Sequence, residues 1–145
     1  MIIQQAKRYK RQDALGKHLG ATVDFEPGFP KIICLCGSTR FKDAFNSANL
    51  ALTLAGYIVL SVGSFTHSDA ELKLNDDKKH ELDILHKRKI DLADAVLVLN
   101  VNGYVGSSTK SEIDYAHNTG KPLAYACGIL GYLGDVAQVV ARLLK

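Results

Sequence analysis

The spacing of apolar positions changes period along this chain, and each change marks an element. Residues 31–36 (KIICLC) form an almost continuous apolar run, the pattern of a strand buried on both faces. Phe41, Ala44, Phe45, Ala48, Ala51, Leu52 and Ala55 then recur at helical spacing, and Gly56 supplies the stop. Residues 57–62 predict a second strand, and residues 63–75 show no period and read as a loop. Residues 76–92 predict a charged helix with Leu82, Leu85 and Leu92 along one side. A third strand is expected over 95–101, a helix over 109–118, a fourth strand over 122–126 and a last helix from about 133 to 144. Ahead of these, residues 1–19 have weak helical character broken at Gly16 and Gly20, and residues 21–30 read as an irregular lead-in or a short extra strand. Strands alternating with helices imply parallel βαβ units. The expected fold is therefore a single three-layer, doubly wound α/β domain of flavodoxin/Rossmann-like type over residues 31–145, preceded by an extension of residues 1–30.

Composition narrows the class without changing the fold. A chain of 145 residues is one domain of ordinary size and needs no disulfide or metal staple. The formal charge of +3 is mild. Much of it sits in the first 17 residues, where Lys7, Arg8, Lys10, Arg11 and Lys17 face only Asp13. That cluster reads as a solvated basic helix, and nucleic acid is not the expected partner. No apolar run approaches the ~18 residues of a membrane span, and no signal-peptide core is evident. Three cysteines form an odd set, which suits a reducing cytoplasm. Cys34 and Cys36 alternate along one strand and share a face. With Cys127 far away in sequence, they read as small core residues rather than metal ligands, and no metal or cofactor is expected.

Two strand-to-helix loops carry candidate chemistry. Gly37-Ser38-Thr39-Arg40 follows the first strand. Its glycine permits a sharp turn, its amides would open a positively polarised helix N-terminus, and Arg40 can grip a phosphate through two nitrogens. Alternatively, Ser38 or Thr39 merely caps the helix. The loop is neither GxxxxGK[ST] nor GxGxxG. The second loop, residues 102–108, leads into a helix carrying Glu112. Thr109-Lys110-Ser111-Glu112 is a literal T-x-x-E capping box, in which Glu112 folds back on the Thr109 amide. If Glu112 instead turns toward a sugar held near Gly103, Gly106, Ser107 and Ser108, it can attack an anomeric carbon and form a glycosyl–enzyme ester.

GSTR after the first strand, Ala93-Asp94 before an apolar strand, and, after Gly106, E-x-x-Y-A-x-x-x-G-K from Glu112 to Lys121 together resemble the nucleoside 2-deoxyribosyltransferase superfamily. That superfamily includes deoxynucleoside 5′-monophosphate N-glycosidases. The resemblance spans roughly residues 31–126. It implies that Glu112 is the nucleophile, that Gly37, Ser38, Thr39 and Arg40 bind phosphate, and that Gly106, Ser107 and Ser108 hold sugar or phosphate. It also implies a homo-oligomer whose neighbouring subunit completes the site. The family's aspartate, placed about two helical turns before the AD strand, corresponds here to His86, with Asp83 and Asp91 close by; His86 or Asp91 would then serve the departing base. The expected activity is cleavage of the N-glycosidic bond of a (deoxy)nucleoside 5′-monophosphate or nucleoside, by hydrolysis or base exchange. The alternative is a nucleotide-sensing module of the same fold. A phosphoribohydrolase of the cytokinin-activating type would carry PGGxGTxxE, which this chain lacks.

Overall fold

In the computed structural model, which describes residues 28–65, 73–127 and 133–145, four strands form one all-parallel sheet. They are β1 (Ile32–Cys36), β2 (Ile58–Leu60), β3 (Ala95–Val98) and β4 (Leu123–Tyr125), in the order β2-β1-β3-β4. Their register pairs Ile33 with Val59 on one side and with Ala95 on the other, and Val96 with Leu123. Four α-helices accompany the sheet: α1 (Lys42–Leu54), α2 (Asp76–Leu92), α3 (Ser107–Asn118) and α4 (Leu133–Leu143).

Alternation along the central strands sorts the core into two layers. Ile33, Leu35, Ala95, Leu97 and Leu99 face Phe45, Ala48, Ala51 and Leu52 of α1 and Val136 and Val140 of α4. Cys34, Cys36, Val96 and Val98 face Ile90 of α2 and Ile113 and Ala116 of α3. Strands buried on both faces must read as continuous apolar runs, as β1 and β3 do. Helices on both faces make the expected three-layer doubly wound domain.

The chain runs from β1 outward to β2 and then returns past β1 to β3. The strand order therefore reverses between β1 and β3, and in open α/β sheets ligands bind beyond the carboxyl ends of the strands at that point. The loops after β1 and β3 are the GSTR segment and residues 99–106.

The opposite edge of the sheet is tied by polar contacts. Asp94 accepts from the Ile32 amide (2.8 Å). Lys121 donates to the carbonyls of Asp91 (3.0 Å) and Ala93 (2.7 Å), satisfying the last turn of α2.

Several boundaries differ from expectation. β2 and β3 are shorter than predicted, because β3 passes at Leu99 into a short 3₁₀ turn, Val101–Gly103. Asn102 (φ 52°) and Gly103 (φ 79°) both lie in the left-handed region there, which Asn and Gly tolerate best. α3 begins at Ser107 rather than Thr109. On α2 the buried side chains are His86 and Ile90, leaving Leu85 54% and Leu92 67% exposed. Leu85 sits one residue, about 100°, from His86, and Leu92 two residues, about 160°, round from Ile90. The C-terminal helix is core on its Val136 and Val140 face. Readings placed on residues 1–27 and 66–72 lie outside the described residues. Among the described residues no helix is long and apolar enough to cross a membrane.

Candidate active site at the strand-order reversal

Glu112 does not cap its helix. Gly106 is the N-cap of α3 and no side chain caps it, so Thr109 and Glu112 both lie inside the helix. The T-x-x-E match is out of step with the true start by three residues. Thr109 is instead 3% exposed and Glu112 is 7% exposed.

The Glu112 carboxylate turns toward the sheet, where Oε2 lies 3.9 Å from His86 Nε2. His86, inward on α2 and also buried, brings the same nitrogen within 3.4 Å of Cys36 Sγ and 3.7 Å of Cys34 Sγ. Four titratable groups from β1, α2 and α3 thus converge beneath the carboxyl end of β1. Burial pushes Glu112 up to about 7 against the opposing pull of His86. Burial opposes charge on His86, but the Cys34 thiol and the Glu112 carboxylate outweigh it and raise the imidazole above its ordinary value. The two thiols share their protons unequally. Cys36 donates toward Cys34 and draws it down to about 6 despite burial, and Cys36 itself is held well above its ordinary value.

Glu112 Oε2 and Asn100 Oδ1 are both buried without a hydrogen-bond partner among the described residues. Native structures rarely leave such atoms unpaired, and functional sites account for many exceptions. Asn100 lies just beyond the carboxyl end of β3, next to the strand-order reversal. Sequence reasoning missed it. The available signal was a polar residue ending an otherwise apolar run.

The GSTR loop lies alongside. A Cβ at Gly37 would stand 3.1 Å from the Leu99 carbonyl and 3.2 Å from Leu99 Cβ, so glycine lets this loop press against the end of β3. Ser38 neither caps α1 nor begins it. Its carbonyl accepts from the Phe41 amide (3.0 Å) and its hydroxyl from the Arg40 amide (3.4 Å). Phe41 is the N-cap of α1, with no side-chain cap. GSTR is therefore a turn ahead of the helix, which corrects the expectation that its own amides form the helix terminus.

Arg40 stacks on the Tyr104 ring at 4.4 Å, and Tyr104 packs edge-on against Phe41 at 5.8 Å. These contacts join the loops after β1 and β3. An open surface depression of about 430 Å³ lies beside them, lined by residues 40–44 and Val101 and not by Glu112. Ser107 and Ser108 are exposed in the first turn of α3, immediately after Gly106.

Asp91 does not join this group. It lies five residues after His86, about 140° round the helix and about 7.5 Å further along its axis. Its carboxylate accepts from the Tyr115 hydroxyl (2.7 Å) and from Arg88 (2.7 Å). It belongs to a surface cluster near the start of β3, where Asp94 and Lys121 also work. Of the motif-like residues, Asp94, Tyr115 and Lys121 thus brace the scaffold at the edge away from Glu112.

No protein-family model and no curated protein matches the chain. Among solved structures it is similar to FerB, a flavoenzyme NAD(P)H:(acceptor) oxidoreductase from Paracoccus denitrificans, at 22% sequence identity. The match covers 79% of this chain and 71% of that one with a TM-score of 0.37, a likeness too distant to bear on function.

Proposed function

We propose that this protein cleaves the N-glycosidic bond of a (deoxy)nucleoside 5′-monophosphate or nucleoside, with Glu112 as nucleophile. The observation that carries the reading is a nine-tenths buried carboxylate beside the β1–β3 reversal, with an oxygen that has no hydrogen-bond partner among the described residues. Glu112 attacks C1′ through a carboxylate oxygen, the C1′–N bond breaks, and the base leaves with the bonding pair and takes up a proton. Water or a second base then attacks C1′ and frees the carboxylate. His86 acts as a positioning residue: its Nε2 faces Glu112 and the two thiols, so the proton for the base comes from another acid or from solvent. Arg40, held in place by Tyr104, pairs with the 5′-phosphate, and Ser107 and Ser108 donate to sugar or phosphate oxygens.

Near-complete burial of Glu112 favours a second reading, in which the two loops hold a nucleotide as a sensor and no bond is cleaved. Incubation with deoxynucleosides and their 5′-monophosphates, followed by chromatography for free base, separates the two. The enzyme reading expects base release that Glu112→Gln abolishes; ligand binding without release supports the sensor. The resemblance implies a second subunit at the site, and the outward Ile84, Leu85 and Leu92 of α2 are the apolar surface that supports this assembly.

A further inference from the structure

The cysteines read from the sequence as inert core residues are set up for a different chemistry. Cys34 and Cys36 are fully buried on one face of β1, and Cys34, Cys36 and His86 offer ligand atoms that all lie within 4.8 Å of one another. Zinc binds thiolate at about 2.3 Å and imidazole at about 2.05 Å, so tetrahedral angles put a bound nitrogen and sulfur about 3.6 Å apart. The observed nitrogen–sulfur distances are 3.4 and 3.7 Å, on either side of that value. A carboxylate oxygen on the same ion would lie about 3.4 Å from the nitrogen. Glu112 Oε2 is 3.9 Å away, buried and without a hydrogen-bond partner among the described residues.

We infer that Cys34, Cys36 and His86 form a site for a thiophilic divalent cation, with zinc the expected ion and Glu112, which lies outside their 4.8 Å cluster but 3.9 Å from His86, the carboxylate that moves in as fourth ligand. Three elements deliver the donors: two thiols from alternate positions of β1, an imidazole from α2 and a carboxylate from α3. Two thiolates and an imidazole suit zinc and disfavour magnesium or calcium, and the harder carboxylate is a ligand that zinc also accepts. Loading requires both thiols to be bound as thiolates, with their protons released to solvent. The site does not depend on the proposed glycosidic activity. If that activity holds, metal and substrate compete for Glu112 and zinc inhibits it.

The test uses the full chain, reduced, stripped with chelator and reloaded. Zinc content after exhaustive dialysis is expected at about one ion per chain in wild type and in Cys127→Ser, whose thiol is exposed and remote in sequence. It should be lost in the Cys34→Ser/Cys36→Ser double variant, whose fold is checked by circular dichroism. Cobalt(II) substitution of wild type, which needs no variant, should give thiolate-to-metal charge transfer and the intense visible bands of a tetrahedral centre. Glu112→Gln should retain the sulfur bands with altered visible bands. Stoichiometric zinc that survives in the folded double variant, or cobalt that gives no charge-transfer band with wild type, overturns the inference. Neither readout depends on base release, so this site and the glycosidase reading fail separately.

Discussion

Replacing Glu112 by Gln should make the folded protein more stable at alkaline pH, by an amount set by its burial. The carboxyl moves from an ordinary 4.5 to about 7 on folding. Each pKa unit corresponds to 1.36 kcal/mol, so holding the ionised form costs about 3 kcal/mol. Because the folded value is raised, the associated stability is fully present below about pH 4.5 and is lost as pH rises through about 7. The groups that face this carboxylate are His86, Cys34, Cys36 and Asp83: His86 and the Cys36 thiol ease its ionisation, and the Cys34 and Asp83 charges oppose it. Gln matches the shape of the protonated acid and cannot ionise. The two proteins should therefore have similar stability near pH 4, and Glu112→Gln should be about 3 kcal/mol more stable near pH 8. Urea denaturation in the presence of chelator, at the two pH values, measures the difference. With a slope of about 1–3 kcal/mol per molar, the midpoint should rise by about 1–3 M at pH 8 and hardly at all at pH 4. Equal midpoints at both pH values, or a variant less stable at pH 8, would refute the claim that Glu112 is a desolvated carboxylate.

Arg40→Ala should weaken monophosphate binding by about 2–3 kcal/mol, the scale of a charge-assisted contact, and leave nucleoside binding nearly unchanged; calorimetric titration of both ligands decides, and equal losses contradict the phosphate role. Gly37→Ala forces a methyl against the Leu99 carbonyl and should lower stability by about 1–3 kcal/mol in chemical denaturation; an unchanged midpoint would mean that the β1 and β3 loops separate freely. Light scattering at micromolar concentration should show at least a dimer, with Leu85→Asp shifting it toward monomer, whereas a monomeric and active wild type removes the need for a second subunit.

The elements were legible where the sequence period was strong. The bounds of α2 match residue for residue, because Asn75 supplies the N-cap, accepting from the Lys78 amide (2.8 Å), and a β-type Ala93 ends the helix. β1 and β3 followed from their unbroken apolar runs. What the sequence hid was register and approach. The capping box at Thr109 matched in letters and failed in space, because Gly106 starts α3 earlier and turns Glu112 inward. The shared face of Cys34 and Cys36 could be read from alternation. That His86 would arrive beside them from fifty residues away could not, since only the crossing of α2 over β1 brings them together. Asp91 looked equivalent to His86 by sequence distance alone; the helix angle sends it to Tyr115 and Arg88 instead.

The central claim, that Glu112 is a nucleophile, is tested most directly by trapping its ester. A slow 2-deoxy-2-fluoro nucleotide substrate retards breakdown of a glycosyl–enzyme intermediate more than it prevents its formation. The metal-free protein, incubated with this substrate, digested and mapped by mass spectrometry, should carry one fluorosugar on the peptide containing Glu112. The adduct should be absent from Glu112→Gln, with base release falling by several orders of magnitude, since an amide cannot form the ester. A fluorosugar on another residue, or near-full base release by Glu112→Gln, would contradict the assignment.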